Sequence, residues 1–147
     1  MATVRRAAVR WTGNLMSGSG LLTDVTSGAF SALPLTWASR TEAADGRTSP
    51  EELLAAAHAS CFAMAFSSDL TKAGVPPESL DVSAEVSAER IDGKWTVVSS
   101  KLTVVGRVPG LDEERFRDLA DGAKEGCPIS RAIKGNVQLS VEASLAR

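Results

Sequence analysis

One stretch of the 147-residue chain decides its fold, and it reads Ser49-Pro50-Glu51-Glu52-Leu53-Leu54-Ala55-Ala56-Ala57-His58-Ala59-Ser60-Cys61-Phe62. Ser49 is a good helix cap, Pro50 suits the first helical turn, and Glu52 stands three positions after the cap, which is the pattern of a capping box. Helix-favouring residues continue to Ala73, where a glycine and two prolines follow. The sequence therefore predicts one long helix over residues 49–73.

The middle of this helix is apolar nearly all round, which is typical of a helix buried on most sides. A single chain of this length would struggle to surround it, so we expect a second copy to help. The apolar run Leu53–Phe66 also contains His58 and Ser60 and is flanked by charge. We expect it to be too short and too polar to span a bilayer.

The segments before the helix indicate three short strands, Thr3–Trp11, Leu21–Val25 and Ala32–Trp37, and then a polar loop over Ala38–Ser49. Alternating apolar residues after it predict a hairpin of Leu80–Ile91 and Trp95–Val108. Its turn is an Asp-Gly pair at positions 92 and 93, a strong hairpin signal.

Helical spacing returns over Leu111–Lys124, with Asp112 as its cap, and Gly126-Cys127-Pro128 opens a short helix that ends near Gly135. Val137–Leu145 alternates again as a last strand. This order of elements predicts a single α+β domain over residues 1–147, with antiparallel sheets and no βαβ winding.

Composition excludes several classes of function. The formal net charge is -2 and the pI is near 5.4, so no basic excess exists to bind nucleic acid or an anionic membrane surface. The arginines near the N-terminus precede polar residues, not the apolar core of a signal peptide. Two cysteines and one histidine without a CxxC motif argue against a zinc site, and no phosphate-binding or dinucleotide motif occurs. We expect a soluble, cytoplasmic protein without cofactor or metal.

The two cysteines have different surroundings. Cys61 lies in the middle of the long helix, where it is either a small buried hydrophobe or a nucleophile that needs a nearby cation, because a free thiol has a pKa of about 8.5. Cys127 precedes Pro128 at a helix start, where the dipole favours a thiolate, although it could also be a chance cysteine in a turn. Local electrostatics alone ranks Cys127 as the better nucleophile.

Three further residues each have two possible roles. Arg40 is either the cation that Cys61 needs or an ordinary solvated arginine. Glu51, unlike Glu52, has no capping duty, so it either pairs with an arginine or simply favours the helix N-terminus. His58 precedes Cys61 by three positions and could form a Cys–His pair, but a buried, hydrogen-bonded histidine is the commoner arrangement.

The long-helix stretch resembles the signature of OsmC/Ohr hydroperoxide reductases, in which a PEEL segment and a run of small residues precede a Cys-Phe pair. Gly126-Cys127-Pro128-Ile129-Ser130 resembles the second signature, a CPxS at a helix start. Trp11-Thr12-Gly13 and Val108-Pro109-Gly110 match as well, and the resemblance is closest to the OsmC branch. The context of Arg40, Trp-Ala-Ser-Arg-Thr, departs from the usual Phe-x-x-Arg-Phe.

The resemblance implies a thiol peroxidase that reduces organic hydroperoxides, and more weakly hydrogen peroxide. Cys61 would attack the peroxide and become a sulfenic acid, and Cys127 would condense with it to a disulfide. A dithiol reductant, such as a lipoyl-type dithiol, would reset the enzyme. Arg40 would lower the pKa of Cys61, and Glu51 would hold Arg40. This order of roles reverses the ranking of the cysteines from local electrostatics. The alternatives are a non-catalytic redox sensor or ligand-binding module, and a structural dimer with inert thiols.

Helix geometry bears on assembly. Glu51 and Cys61 are ten positions apart, which places them roughly 15 Å apart along one straight helix and on faces about 80° apart. An antiparallel partner helix would instead lay its Glu51 end beside this Cys61. We therefore expect an obligate, intertwined homodimer with antiparallel sheets around long buried central helices.

Overall fold

The computed structural model describes all residues, 1–147, and the chain divides into two compact units, Met1–Leu53 and Leu54–Arg147. The boundary between them falls inside the long helix. The first unit contains a three-stranded antiparallel sheet in the order β1-β2-β3, formed by Ala7–Thr12, Ser19–Val25 and Leu33–Leu35. These are the three strands that the sequence predicts.

The first unit has little core of its own. Leu22 is the only apolar side chain of the unit that is buried in this chain. All of β1 is exposed, and large apolar residues lie on the surface of the unit, among them Val9, Trp11, Leu15, Met16 and Phe30. Contiguous exposed apolar surfaces of this kind are typical of interaction sites.

The expected loop over Ala38–Ser49 begins instead with a short helix, α1, at Trp37–Thr41. A complete capping box explains it. The backbone N–H of Ser39 donates to the Thr36 hydroxyl at 3.0 Å, and the N–H of Thr36 donates to the Ser39 hydroxyl at 2.9 Å. Serine stands where glutamate or glutamine would normally mark a capping box, so the sequence pattern did not reveal it. The Ser39 hydroxyl also donates to the carbonyl of Thr48 at 3.0 Å, which ties α1 to the start of the next helix.

The long helix, α2, is confirmed at Pro50–Lys72. Ser49 caps it by accepting a hydrogen bond from the N–H of Glu52 at 3.1 Å. The carboxylate of Glu52 accepts from the hydroxyl of Thr48 at 2.9 Å. Glu52 therefore has a structural role at the helix start, as expected, although its partner is the residue before the cap.

Within one chain α2 buries a single stripe, not most of its circumference. His58, Phe62, Phe66 and Leu70 are fully buried at four-residue spacing. The stripe of Ala56, Ser60, Met64 and Ser68 is exposed, with Met64 at 68%. One chain thus leaves one side of α2 exposed, as expected, and burial of that side by a second copy stays a prediction.

The prediction that the apolar run cannot span a bilayer also needs correction. By length and composition alone, α2 is long and apolar enough to cross a membrane. The helix extends beyond the run that the sequence analysis considered, which explains the difference. Core helices of soluble proteins meet the same criterion, so one such helix is weak evidence for a membrane protein.

The second unit contains the predicted hairpin, β4 at Ser79–Ile91 and β5 at Lys94–Arg107. Its turn residues Asp92 and Gly93 both have positive φ, 48° and 77°, as a tight hairpin turn requires. The last strand, β6 at Gln138–Leu145, pairs with β5 in parallel. The prediction of purely antiparallel sheets without βαβ winding is therefore wrong for this unit, whose sheet is mixed and whose parallel strands β5 and β6 are joined through helices.

Two helices account for the parallel pair. Between β5 and β6 the chain forms α3 at Glu113–Gly126 and α4 at Pro128–Ile133. They return the chain to the end of the sheet at which β5 begins, so β6 must run in the same direction as β5. The predicted caps, Asp112 for α3 and Cys127 for α4, are both confirmed.

The core of the second unit forms between α2, α3 and the sheet. The ring of Phe66 stacks between those of Phe62 and Phe116, with ring centroids 5.5 and 5.0 Å apart. Leu102 and Val104 of β5 complete the cluster. Gly106 allows the close approach, since a Cβ there would lie 2.5 Å from the Phe116 ring. This core fixes the part of α2 that carries Cys61.

Candidate active site

Arg40 and Glu51 form a forked ion pair within the first unit. Nε of Arg40 donates to both carboxylate oxygens of Glu51, at 3.0 and 3.1 Å, and Nη2 donates to Oε1 at 2.8 Å. The carboxylate is nearly buried, with 11% of its side chain exposed, while the guanidinium keeps 30%. Two-point pairing of this kind fixes the plane of the guanidinium as well as its position.

Local structure explains why these two side chains meet. Arg40 lies on α1, whose capping box holds the short helix in place, and Glu51 lies in the first turn of α2. Ser39 links α1 to the residue before the α2 cap. Trp37 supports the guanidinium from its ring face, with the Arg40 Cζ 5.9 Å from the ring centroid. Arg40 is thus held from two directions, and is not an ordinary solvated arginine.

A largely apolar cavity of about 370 Å³ adjoins this pair. Its lining comes entirely from the first unit and consists of Trp11, Leu15, Leu35, Thr36, Trp37, Arg40 and Pro50. Arg40 is its only charged residue. A site of this composition can receive an apolar group with a polar end directed at the guanidinium.

The two cysteines meet within the second unit although 66 positions separate them in sequence. Both are free thiols, Cys61 partly buried on α2 and Cys127 fully buried at the start of α4. Cys61 packs against the cluster that contains Cys127, and the Cys127 thiol and the backbone N–H of Ile129 both act on the pKa of Cys61. Cys127 itself forms no side-chain capping bond to α4. The amino end of α4 therefore acts on Cys61, whereas local electrostatics in the sequence assigned its effect to Cys127.

The pKa of the Cys61 thiol lies above its ordinary value. Burial is the largest cause, and the neighbouring Cys127 raises the pKa further, while the N–H of Ile129 opposes both by lowering it. At neutral pH the thiol of Cys61 in these surroundings is therefore mostly protonated. To become a thiolate nucleophile it needs a cation, as the sequence analysis anticipated.

His58 is the buried, hydrogen-bonded histidine that the residue pattern favours. It has no exposed surface, and its two ring nitrogens are bonded to the hydroxyls of Ser100 and Ser130, at 2.7 and 2.8 Å. Both nitrogens are occupied, so the ring is not arranged as a base for Cys61. Burial lowers the pKa of His58.

The structure thus brings the four predicted site residues together as two pairs, Arg40 with Glu51 and Cys61 with Cys127, each within its own unit. The sequence did not indicate which neighbouring residues support these pairs. The sequence pattern places Trp37 in a strand and gives no sign of its contact with Arg40. It presents Ser130 only as part of the CPxS motif and does not indicate its bond to His58. The amide of Ile129 could have been anticipated from the proline-led start of α4, since such a terminus presents free N–H groups.

Comparison with known proteins places the chain in a family. A family model described as OsmC-like protein matches residues 43–142. Peroxiredoxin OsmC of Escherichia coli strain K12 is 34% identical over 142 residues, which cover 97% of this chain and 98% of that protein. The organic hydroperoxide resistance protein OhrB of Bacillus subtilis strain 168 is 32% identical over 97 residues, 65% of this chain and 68% of OhrB.

Solved structures agree with the sequence comparison. The crystal structure of OhrB of Bacillus subtilis has a TM-score of 0.74 to this chain, with 26% identity, and the match covers 94% of this chain and 97% of that one. The resemblance seen in the two cysteine motifs is thereby confirmed along nearly the whole length. This chain belongs to the OsmC/Ohr family.

Proposed function

We propose that this protein is a cysteine-based peroxidase that reduces organic hydroperoxides to alcohols. The observation that carries the proposal is the meeting of two free thiols, since Cys61 on α2 packs against the cluster that contains Cys127 at the amino end of α4. Relatives named peroxiredoxin OsmC and organic hydroperoxide resistance protein support it. The reaction needs no cofactor and no metal, since both redox centres are sulfur atoms.

In the first step the thiolate of Cys61 attacks one oxygen of the hydroperoxide ROOH. The S–O bond forms as the O–O bond breaks, which gives the sulfenic acid Cys61-SOH and the alkoxide RO⁻, and the alkoxide takes up a proton to become the alcohol. Cys61 is oxidised and the peroxide is reduced. Cys61 is favoured over Cys127 as the attacking sulfur because it is less buried and the N–H of Ile129 lowers its pKa.

Arg40 supplies the cation that this step requires. Burial keeps the pKa of Cys61 above its ordinary value, so a guanidinium must stabilise the thiolate and the charge that develops on the leaving oxygen. Glu51 engages Nε and Nη2 of Arg40 and leaves the Nη1 edge to the reacting atoms. Glu51 thus orients the guanidinium, and does not touch the substrate.

In the second step the sulfur of Cys127 attacks the sulfenic sulfur of Cys61. The disulfide forms, and hydroxide leaves and combines with the thiol proton as water. An external dithiol, such as one of lipoyl type, then transfers two electrons and two protons, which regenerates both thiols while the reductant becomes a disulfide. This cycle consumes one dithiol for each peroxide.

The cavity beside Arg40 supports a preference for organic hydroperoxides over hydrogen peroxide. Two tryptophans, two leucines and a proline line it, and an alkyl or aryl group gains more from such a surface than a small polar peroxide does. The peroxide end of the substrate would lie at the guanidinium.

We also propose that the working enzyme is an obligate homodimer. The first unit leaves apolar side chains such as Val9, Leu15 and Met16 on its surface, and α2 exposes the stripe that includes Met64. A second copy would cover these surfaces and place long helices at the centre of the assembly. Arg40 and Cys61 would then complete one site, within one chain or across the interface.

The chemistry also limits where the protein works and what it binds. Two reduced thiols that must be regenerated by a dithiol suit a reducing compartment, so the proposed location is the cytoplasm. With a net charge of -2 the chain is not expected to bind nucleic acid or a membrane surface.

Steady-state turnover tests the proposal. The purified protein is mixed with cumene hydroperoxide or hydrogen peroxide, with dihydrolipoamide as reductant, and peroxide loss is followed for many equivalents. We expect continuous turnover that is faster with cumene hydroperoxide. A single equivalent consumed would indicate a redox sensor, and two thiols that stay free under mild peroxide would indicate a structural dimer. Either result would refute the proposed peroxidase activity.

A further inference from the structure

His58 is a buried titratable group that the proposed chemistry does not use. It lies on α2 three residues before Cys61, and its ring joins two other elements. Nδ1 contacts the hydroxyl of Ser100 on β5 at 2.7 Å, and Nε2 contacts the hydroxyl of Ser130 on α4 at 2.8 Å. Both serines are themselves buried, so water does not compete for these bonds.

The chemistry of the bridge is fully satisfied when the ring is neutral. A neutral imidazole has one N–H donor and one acceptor nitrogen, and a hydroxyl can play either part. One serine therefore donates to the ring and the other accepts from it. Burial lowers the pKa of His58, which keeps the ring in this neutral form at physiological pH. The ring acts as a rigid spacer of fixed length between β5, α2 and α4.

The α4 end of this spacer is the part of the chain that faces Cys61. Ser130 follows Ile129, whose backbone N–H lowers the pKa of Cys61. Cys127, which belongs to the cluster against which Cys61 packs, is the cap of the same helix. Because α4 has only six residues, a bond at Ser130 holds the whole of its first turn.

We propose that His58 is a positioning residue, which through Ser130 holds α4 so that the Ile129 N–H and the Cys127 thiol both face Cys61. Its bond to Ser100 anchors the ring to the sheet, and its bond to Ser130 performs the positioning. The positioning of α4 does not depend on peroxidase activity, whereas its consequence for catalysis rests on the proposed function. Loss of the Ser130 bond would weaken thiolate stabilisation at Cys61 and slow closure of the Cys61–Cys127 disulfide.

A matched pair of serine variants separates positioning from general packing. Ser130→Ala and Ser100→Ala each remove one buried hydroxyl and leave one ring nitrogen without its partner, so both should lower the melting temperature. Only Ser130→Ala removes the link to α4. We measure the rate of Cys61 alkylation by iodoacetamide against pH, in chains that also carry Cys127→Ser, and disulfide closure by diamide in chains that keep Cys127.

We expect Ser130→Ala to move the alkylation midpoint to higher pH, slow alkylation at pH 7 about fivefold and slow disulfide closure, because one hydrogen bond to a thiolate is lost. Ser100→Ala should change both rates less than twofold. Equal effects of the two variants, or no effect of Ser130→Ala, would overturn the proposal. Neither measurement uses a peroxide, so a failed peroxidase assay would leave this result intact.

A second pair tests the same point if Ser130→Ala does not fold. In His58→Gln the longer amide can replace Nε2 and keep the bond to Ser130, whereas in His58→Asn the shorter amide can replace only Nδ1 and keeps the bond to Ser100. The glutamine variant should retain the wild-type alkylation profile, and the asparagine variant should show the upward shift. The reverse order would show that the link to α4 is not what matters.

Discussion

Arg40 is bound to Glu51 through two of its nitrogens, Nε and Nη2, at 2.8 to 3.1 Å. A lysine in place of the arginine could offer the same charge, but not two donors in one plane. The pair therefore fixes the direction in which the remaining edge of the guanidinium points. In the proposed site, this remaining edge would face the thiolate and the peroxide.

Removal of the guanidinium should raise the pKa at which Cys61 ionises. In this chain burial, Cys127 and the Ile129 N–H act on the Cys61 thiol with a net effect that raises its pKa, so the proposed mechanism assigns the opposing effect to Arg40. Since only the thiolate reacts, alkylation of Cys61 should require higher pH than in the wild type, and peroxide reduction should slow strongly. Arg40→Lys should restore only part of the rate.

Arg47→Ala is the matched control for the arginine, because Arg47 lies in an exposed loop and pairs with Asp45 at 3.3 Å. It should leave the alkylation profile unchanged. An Arg40→Ala protein with the wild-type midpoint would mean that another group supplies the charge.

The two glutamates of the helix start should separate in their effects. Glu51→Ala removes the partner that orients Arg40 and should lower peroxidase activity more than Glu52→Ala does. Glu52 bonds to Thr48 near the surface, so its loss should mainly lower the free energy of unfolding, by on the order of 1 kcal/mol. Activity and melting temperature are measured for both, and the opposite pattern would mean that their roles are exchanged.

The roles of the two sulfurs are distinguishable by mass spectrometry. Cys61→Ser should abolish turnover, because a hydroxyl is a far poorer nucleophile at neutral pH. Cys127→Ser should react with one equivalent of peroxide and retain a sulfenic acid at position 61, which dimedone would label. Rapid peroxide loss in Cys61→Ser, with the oxidised sulfur on Cys127, would reverse the order.

The dimer and the placement of its sites are tested by mixing inactive chains. Light scattering should give twice the chain mass at working concentration. If Arg40 acts on the partner's thiol, co-refolding Cys61→Ser chains with Arg40→Ala chains should restore about a quarter of wild-type activity, since half of the dimers are mixed and each holds one complete site. No restoration would place both residues in one chain, and an active monomer would end the dimer proposal.

Stability should depend on pH through His58. Its pKa is lowered in the folded state, so the unfolded chain binds the proton more readily. The contribution of the neutral ring is complete above the unfolded value of about 6.5 and is lost as pH falls through the lower folded value. Urea unfolding from pH 8 to 5 should therefore show a decline that His58→Gln lacks, and parallel curves for the two proteins would contradict this.

Much of the fold could be predicted because its signals are local. The Ser-Pro-Glu-Glu start of α2, the Asp-Gly turn of the hairpin and the Cys-Pro start of α4 each depend on a few adjacent residues, and each was found within a residue or two. The parallel pairing of β6 was missed because strand direction depends on the path of two intervening helices. No local pattern records that path.

The site shows the same division. The pairing of Arg40 with Glu51 was anticipated from residue type and from the family resemblance, but its support by Trp37 was not. The serines that bind His58 are 42 and 72 positions away in sequence. Such contacts depend on tertiary packing, so the sequence could indicate that the ring is buried and bonded without naming its partners.

Cys127 ends α3 and begins α4, and the proline after it keeps its backbone extended, at φ -60° and ψ 125°. The sulfur is thus presented from a joint with little torsional freedom. The conformational entropy cost of holding this sulfur beside Cys61 is met when the chain folds, before any peroxide binds. In the proposed cycle, disulfide closure would therefore proceed at a high effective molarity, as a first-order event whose rate does not depend on the concentration of the protein.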